Sequence, residues 1–228
     1  MRPYKDEPRG ERLRPGPFHP RRRHLRDLAD RMREMAEALP AGATLLDFGC
    51  GSRPYRALFA PKFATYLAAD LPGNPEADVQ LDADGRVPLP DGAADCVLSS
   101  QVLEHVDDPR RYLGEARRLL RPGGRLVLST HGIWPYHPDP SDHWRWTAEG
   151  LQREVKLAGF EVERVRSVLG LAATSVQLWQ DATAGHLPKP VRSLYVFALQ
   201  VLIGLLEPRK PREPRRDASV YVLLARRP

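Results

Sequence analysis

Short apolar runs along the chain alternate with stretches that show helical periodicity or carry turn residues. Apolar residues recur at helical spacing from Pro109 to Leu120, and Arg121-Pro122-Gly123-Gly124 predicts a helix stop and a tight turn. Strands that alternate with helices favour a parallel sheet covered by helices on both faces. The strands predicted in this region are residues 43–48, 64–69, 79–81, 96–99 and 125–129.

The flanking segments add a helix before this region, and a helix and two strands after it. Residues 21–39 place apolar side chains at helical spacing, which predicts an amphipathic helix leading into the domain. A helix over 147–158 closes at Gly159, and a strand over 160–168 follows it. The last strand is predicted at residues 218–225.

Length and composition indicate one domain with additions. A chain of 228 residues with 42% hydrophobic residues can bury the core of one α/β domain, but hardly of two. The first 20 residues mix charge with five prolines, which is typical of a flexible arm. We predict a flexible basic arm over 1–20, a core with its leading helix over 21–168, an insertion over 169–217 and the last core strand over 218–228.

The net charge of +6 is concentrated at the two ends of the sequence. Residues 1–26 have nine basic against three acidic side chains, and residues 208–228 have seven against two. Residues 27–207 have 19 basic against 24 acidic, a net charge of −5, which disfavours an extended nucleic-acid surface. Cys50 and Cys96 lie in apolar stretches and no signal-peptide pattern opens the sequence, so a cytoplasmic protein is expected.

The first predicted strand ends in Asp47-Phe48-Gly49-Cys50-Gly51, where glycines let the backbone turn sharply and approach a ligand. Nucleotide-binding folds of this kind hold a ribose with an acid at the end of the second strand, roughly 20 residues on, and Asp70 stands there. A dinucleotide is disfavoured, because Pro54 occupies the last glycine position of the GxGxxG fingerprint.

From about residue 40 to 168 the chain resembles the class I S-adenosylmethionine-dependent methyltransferases, in particular the small bacterial type with a type 11 methyltransferase domain. The resemblance is carried by LLDFGCG, by Asp70, by LDADGRVPLPDGAADCVLSSQVLEHVDDP and by LLRPGGRLVLST. It implies a Rossmann-like, doubly wound α/β sheet of seven strands, mostly parallel with an antiparallel last strand. It also implies S-adenosyl-L-methionine as cofactor and S-adenosyl-L-homocysteine as product.

The resemblance further implies roles for residues at the strand ends. Asp47 would orient the glycine loop near the methionine moiety, and Asp70 would bind the ribose. Asp82 would meet the adenine, with Asp84 as a competing alignment. Arg53 departs from the family, since many members have a third glycine there. The implied cofactor-binding residues are Asp47, Gly49, Cys50, Gly51, Asp70, Leu71, Asp82, Ala83, Ser100 and Gln101.

The loop at residues 130–147 is dense in histidine, aromatic and proline residues and is the predicted acceptor site. If the acceptor is a hydroxyl, His131 is the first candidate base, followed by His137, His143 and His105. The spacing of the three loop histidines matches no compact ligand pattern, so no metal is predicted.

The insertion contains residues 194–206, LYVFALQVLIGLL, which are apolar on nearly every face. This run is shorter than the ~20 residues that span a bilayer. Three alternatives stay open: a buried cap helix, a homodimer contact, or a peripheral membrane contact through 191–216. The last is encouraged by flanking basic residues, which would face anionic lipid at the inner face of the membrane.

The combined patterns predict a methyltransferase that acts, at oxygen, on a small-molecule acceptor such as a natural product, a sugar or a lipid-linked intermediate. One alternative is a non-catalytic cofactor-binding or scaffold protein with the same fold, which the intact Asp47, Gly49, Gly51 and Asp70 disfavour. An RNA methyltransferase is a further alternative, and it would need a basic groove.

Overall fold

The computed structural model describes residues 12–207 and 213–228 and contains one mixed sheet of seven strands. The strands are β1 (Gly42–Phe48), β2 (Phe63–Asp70), β3 (Val79–Gln80), β4 (Ala94–Ser100), β5 (Leu120–His131), β6 (Glu161–Gly170) and β7 (Ala218–Arg226). Their order is β3-β2-β1-β4-β5-β7-β6. β7 runs antiparallel to both neighbours and the other pairs are parallel, which confirms the predicted Rossmann-like fold.

Helices cover both faces of this sheet, because adjacent residues of a buried strand point to opposite sides. In β1, Leu46 packs in a cluster with Leu113 and Leu151, whereas Leu45 packs in a second cluster with Met32 and Met35. The helices are α1 (Arg22–Ala38), α2 (Arg56–Phe59), α3 (Pro109–Leu119), α4 (Ala148–Leu157), α5 (Leu171–Thr183) and α6 (Lys189–Leu206).

The β5 strand begins earlier than the sequence predicts, and the tight turn expected at 121–124 is replaced by extended backbone. The C-terminal segment holds this stretch: the Gly123 N–H donates to the Arg227 carbonyl, and the Arg227 N–H donates to the Gly124 carbonyl, both at 2.8 Å. Gly123, with φ of +77°, supplies the bend inside the strand. Residues 121–124 therefore belong to the first part of β5 and do not form a separate turn before it.

Of the predicted flexible arm, residues 1–11 lie outside the described part of the chain, and residues 12–20 are mostly exposed with a few contacts to the domain; the flexibility of the arm stays a prediction. Pro15 is buried. Although proline has no N–H to donate, its carbonyl still accepts hydrogen bonds. The Pro20 carbonyl receives three, from the side-chain amides of Gln177, Gln180 and Gln200.

The insertion folds into a helical hairpin of α5 and α6. Because β6 extends to Gly170, the hairpin begins at Leu171 instead of residue 169. α6 has 18 residues, longer than the apolar run alone, and by length and composition it is long and apolar enough to cross a membrane. Of the three alternatives for this segment, a buried cap helix is disfavoured, because most of α6 is exposed. Its buried residues are Val196, Gln200 and Ile203.

Candidate functional site

The carboxyl ends of the parallel strands open into one cavity of about 1240 Å³. In an open α/β sheet, ligands bind at this edge. The cavity is lined by every residue that the sequence implied for the cofactor, and by three of the four candidate bases. These lining residues are Asp47, Gly49, Cys50, Gly51, Asp70, Leu71, Asp82, Ala83, Ser100, Gln101, His105, His131 and His137.

Asp70 organises the glycine loop from the end of β2. Its Oδ2 accepts hydrogen bonds from the Gly51 N–H and the Asn74 side-chain amide, both at 2.7 Å, and its Oδ1 accepts from the Leu71 N–H at 2.8 Å. An ionised carboxylate offers about four lone-pair sites, so these bonds leave capacity for a ligand hydroxyl. Asn74 was not predicted as a site residue, because it lies in a loop without a motif of its own.

Two glycines of this loop adopt left-handed backbone conformations for different reasons. Gly49 has φ of +78°, and a Cβ there would lie 2.5 Å from Cγ2 of Val102. Gly51 has φ of +50°, and a Cβ there would meet no atom within 4 Å. The space beside Gly51 belongs to the cavity, so that glycine leaves room for a ligand, whereas Gly49 allows close packing.

This contrast predicts different effects of two alanine substitutions. We expect Gly49→Ala to lower the free energy of unfolding by about 2–4 kcal/mol, because backbone strain of about 1–3 kcal/mol adds to the clash with Val102. Gly51→Ala should cost only about 1–2 kcal/mol and should weaken cofactor binding. Urea denaturation and ligand titration of both variants measure this. Equal destabilisation by the two would contradict the packing role of Gly49.

Asp47 is a buried carboxylate at the end of β1, and Tyr66 donates a hydrogen bond to its Oδ2. Burial, with a smaller contribution from the charge of Asp70, raises the pKa of Asp47 to about 7, although the hydrogen bond from Tyr66 opposes this shift. A cationic ligand in this part of the cavity would favour the ionised form. The site is thus electrostatically suited to a ligand that carries positive charge.

Arg53 holds the position at which the family often has a glycine, and it keeps the left-handed conformation with φ of +55°. Its guanidinium donates to the Asp78 carboxylate at 2.9 Å and to the Glu76 carbonyl. These contacts hold the residue in the loop, so the substitution keeps the loop's shape. Pro54 lines the cavity directly before the short helix α2.

Asp82 and Asp84 both line the cavity, so the structure leaves both alignments for the adenine in place. Oδ1 of Asp82 accepts hydrogen bonds from the N–H groups of Asp84 and Arg86, each at 2.9 Å, and so closes its own turn. Asp84 pairs with Arg111 at 3.2 Å. The adenine contact of Asp82 stays a prediction.

Ser100 and Gln101 leave β4 beside the same cavity. Gln101 has φ of +58°, which is strained for a residue with a side chain. Its amide donates to the Ser129 hydroxyl at 3.1 Å, and Ser100 lies 3.2 Å from that hydroxyl. Hydrogen bonds to Ser129 of β5 hold Gln101 in this strained conformation. Strained backbone conformations of this kind cluster at ligand-binding positions.

Glu104 and His131 form a buried dyad at the edge of the cavity. Oε1 of Glu104 lies 2.8 Å from Nδ1 of His131, and its Oε2 accepts a hydrogen bond from Thr130 at 2.8 Å. Neither of these two facing atoms has another hydrogen-bond partner among the described residues, so each is the other's nearest polar contact. Burial lowers the pKa of His131, and the Glu104 charge opposes that shift. The imidazole is therefore neutral at neutral pH and can accept a proton.

His137 adds a third donor atom, and those of Glu104, His131 and His137 all lie within 4.8 Å of one another. Such a group could hold a metal ion, which the histidine spacing alone did not indicate. Two ligands of a tetrahedral zinc ion lie about 3.3 Å apart. The shorter contact between Glu104 and His131 favours a direct pair.

Aromatic rings line the cavity beside His131. The rings of His131 and Trp134 stack with centroids 5.1 Å apart, and the ring of His24 lies 4.4 Å from Trp134. His24 comes from α1, together with Leu25 and Leu28, which also line the cavity. This end of the cavity therefore offers flat ring surfaces together with imidazole groups.

The acceptor loop is braced by its own hydrogen bonds. The Arg145 guanidinium donates to the carbonyls of Trp134 and Pro135 and pairs with Asp142 at 2.6 Å. Asp142 also accepts from the His137 N–H at 2.8 Å. Although Asp142 is partly buried, these hydrogen bonds lower its pKa to about 2, so the brace stays charged at neutral pH.

His143, one of the candidate bases, does not line the cavity. Its Nε2 lies 3.2 Å from Asp107, and its backbone N–H donates to the Glu104 carbonyl at 2.8 Å. The His143 side chain is exposed. His143 is therefore withdrawn as a candidate base.

Comparison with known proteins gives a consistent result. The family model described as "Methyltransferase domain" matches residues 19–165. An uncharacterised methyltransferase of Mycobacterium sp. (strain JLS) is 37% identical over 116 residues, which are 47% of this chain and 46% of that protein. A probable S-adenosylmethionine-dependent methyltransferase of Mycolicibacterium smegmatis is 30% identical over 138 residues, 54% of each chain. The chain spans about half the length of the curated relatives it matches.

Among solved structures, the fold is similar to that of the cyclopropane synthase MmaA2 from Mycobacterium tuberculosis. The TM-score is 0.55 and the identity 20%, over 98% of this chain and 95% of that one. At this identity the likeness concerns the fold alone, and the chemistry has to be argued from the site.

Proposed function

Because the chain belongs to the class I S-adenosylmethionine-dependent methyltransferase family, we propose that it transfers the methyl group of S-adenosylmethionine to a hydroxyl oxygen of a small-molecule acceptor. The observation that carries this proposal is the Glu104–His131 dyad, whose His131 lines the same cavity as Asp70 and the glycine loop. A nucleoside-holding acid and a neutral base at one cavity suit this reaction.

The cofactor half of the cavity fits S-adenosylmethionine in shape and charge. The free space beside Gly51 admits a ligand against the backbone, and Asp70 retains acceptor capacity for ribose hydroxyls. The carboxylates of Asp47 and Asp70 suit the positive charge of the ligand. When bound, the cofactor supplies an electrophilic methyl group.

The protein's own part of the reaction is to position the acceptor and to take up its proton. The apolar wall around Trp134 orients the acceptor, and proximity of this kind contributes about 7–11 kcal/mol in favourable cases. Since Nδ1 of His131 faces Glu104, Nε2 is the nitrogen left for the acceptor. The bound cofactor would give up its methyl group from the sulfonium sulfur and leave as S-adenosylhomocysteine, and Nε2 of His131 would take up the proton that the acceptor hydroxyl loses.

The distribution of charge favours a small acceptor over RNA. Residues 27–207 carry a net charge of −5, which disfavours an extended RNA-binding surface on this part of the chain. Measuring the affinity of the full chain for RNA at low salt is a direct check, because an RNA methyltransferase would bind its substrate strongly there.

Calorimetric titration with S-adenosylmethionine and S-adenosylhomocysteine tests the first half of the proposal. We expect micromolar binding of both, and no binding at millimolar ligand would reject it. Transfer of a tritiated methyl group to a panel of phenols, sugars and lipid-linked sugars, analysed by mass spectrometry, tests the second half. Binding without transfer to any fraction of a cell extract would favour the scaffold alternative.

A further inference from the structure

Helix α6 has its polarity reversed relative to an ordinary surface helix. Its outward side exposes large apolar side chains, among them Leu194 at 70% and Leu205 at 78% exposure. A surface helix normally faces solvent with polar residues. The apolar residues exposed on α6 are Val191, Leu194, Phe197, Val201, Leu202, Leu205 and Leu206, hereafter the outer face.

The inward side of the hairpin carries the polar groups. The Gln200 amide is 5% exposed and donates to the side-chain oxygens of Gln177 and Gln180, while its Oε1 accepts from the Arg23 N–H at 2.8 Å. Buried amides are costly unless they are paired, and these are paired. The network fixes α6 to α1 and α5, so the outer face is held outward.

The exposed apolar surface extends beyond α6. Phe18, 60% exposed, lies with its ring 5.7 Å from that of Phe197, and Trp179 of α5 is 64% exposed. Contiguous apolar patches of this kind mark contacts with proteins or membranes. A tryptophan beside an aliphatic surface is typical of the membrane interface.

The charge at the two ends of α6 distinguishes a membrane from a protein partner on the outer face. Lys189 and Arg192 stand in the first turn of α6, and Arg209, Lys210 and Arg212 follow its last turn in the sequence. The acid within 189–212 is Glu207, which is 6% exposed. A second copy of this chain would bring like charges together in either orientation of the helix, whereas anionic lipid headgroups complement them.

We propose that the outer face of α6 docks flat on an anionic lipid bilayer, with its aliphatic side chains among the acyl chains and the basic ends at the headgroups. The helix lies in the interface and does not cross the membrane, because the Gln200 network keeps one of its sides on the protein. Apolar burial and electrostatic attraction both contribute to such binding.

Co-sedimentation with phosphatidylcholine vesicles, with and without phosphatidylglycerol, tests this proposal on the full chain. We expect binding that requires phosphatidylglycerol and weakens in high salt. The double variant Leu194→Glu, Leu205→Glu should bind about tenfold or more weakly. Leu157→Glu is the matched control, since Leu157 is 60% exposed on α4, across the sheet.

Folding of each variant is verified by its thermal unfolding curve, and its mass in solution by light scattering. Absence of vesicle binding by the native chain, or equal binding by the double variant, would overturn the proposal. A native dimer that the double variant converts to a monomer would assign the outer face to self-association instead. Methyl transfer to a soluble acceptor is measured separately, so failure of vesicle binding leaves the proposed reaction intact.

Discussion

The Asp70→Ala variant should bind S-adenosylmethionine at least tenfold more weakly than the native chain while keeping its fold. Hydrogen bonds to a charged group contribute about 1.5–3 kcal/mol each, and loss of a single one corresponds to about tenfold or more in affinity. Asp70 also holds the N–H of Gly51, so its removal loosens the loop that borders the ligand. Calorimetric titration gives the affinity, and urea denaturation gives the stability.

Two further variants separate the charge of Asp70 from its position. Asp70→Asn keeps the size of the side chain but removes the charge, so its affinity should fall between those of the native chain and the alanine variant. Asp91→Ala is the control, because Asp91 has an exposed side chain that pairs with Arg118 outside the cavity. An affinity of Asp70→Ala within threefold of native would overturn the assignment of Asp70 to the ribose.

The fold could be predicted from the sequence because its strands are continuous apolar runs with turn residues between them. The order along the chain placed Gly49, Asp70 and Ser100 at the ends of β1, β2 and β4, and parallel pairing then brings all three to one edge. The structure of the insertion was harder to predict. The three glutamines that pair inside the hairpin look like solvent-facing residues in the sequence, so the pattern gave no sign of which side is buried.

The acceptor end could be predicted only in part, because its groups come from distant segments. His131 stands out in a histidine-rich loop, but its partner Glu104 lies in the loop after β4, and its neighbour across Trp134 is His24 of α1. Tyr66, the partner of Asp47, points inward from β2 like any buried strand residue. Such pairings depend on tertiary packing, which local periodicity does not encode.

Replacing His131 by alanine should lower kcat by about 10²–10⁴, the usual contribution of a general base, and should leave S-adenosylmethionine affinity nearly unchanged. Burial lowers the pKa of His131 below its ordinary value of 6.5. The native enzyme should therefore keep its activity at neutral pH and lose it as the pH falls through that lowered pKa. His143→Gln is the control, because His143 lies outside the cavity.

Glu104→Gln isolates the positioning role of Glu104, since glutamine keeps the size and the hydrogen bond from Thr130. Loss of the negative charge removes an influence that raises the pKa of His131, so the acid limb of the kcat profile should move to lower pH and the plateau should fall. A merely structural role would lower the plateau without moving the limb. One tightly bound metal ion per chain, with activity lost to a chelator and in His137→Ala alike, would instead assign these groups to a metal centre.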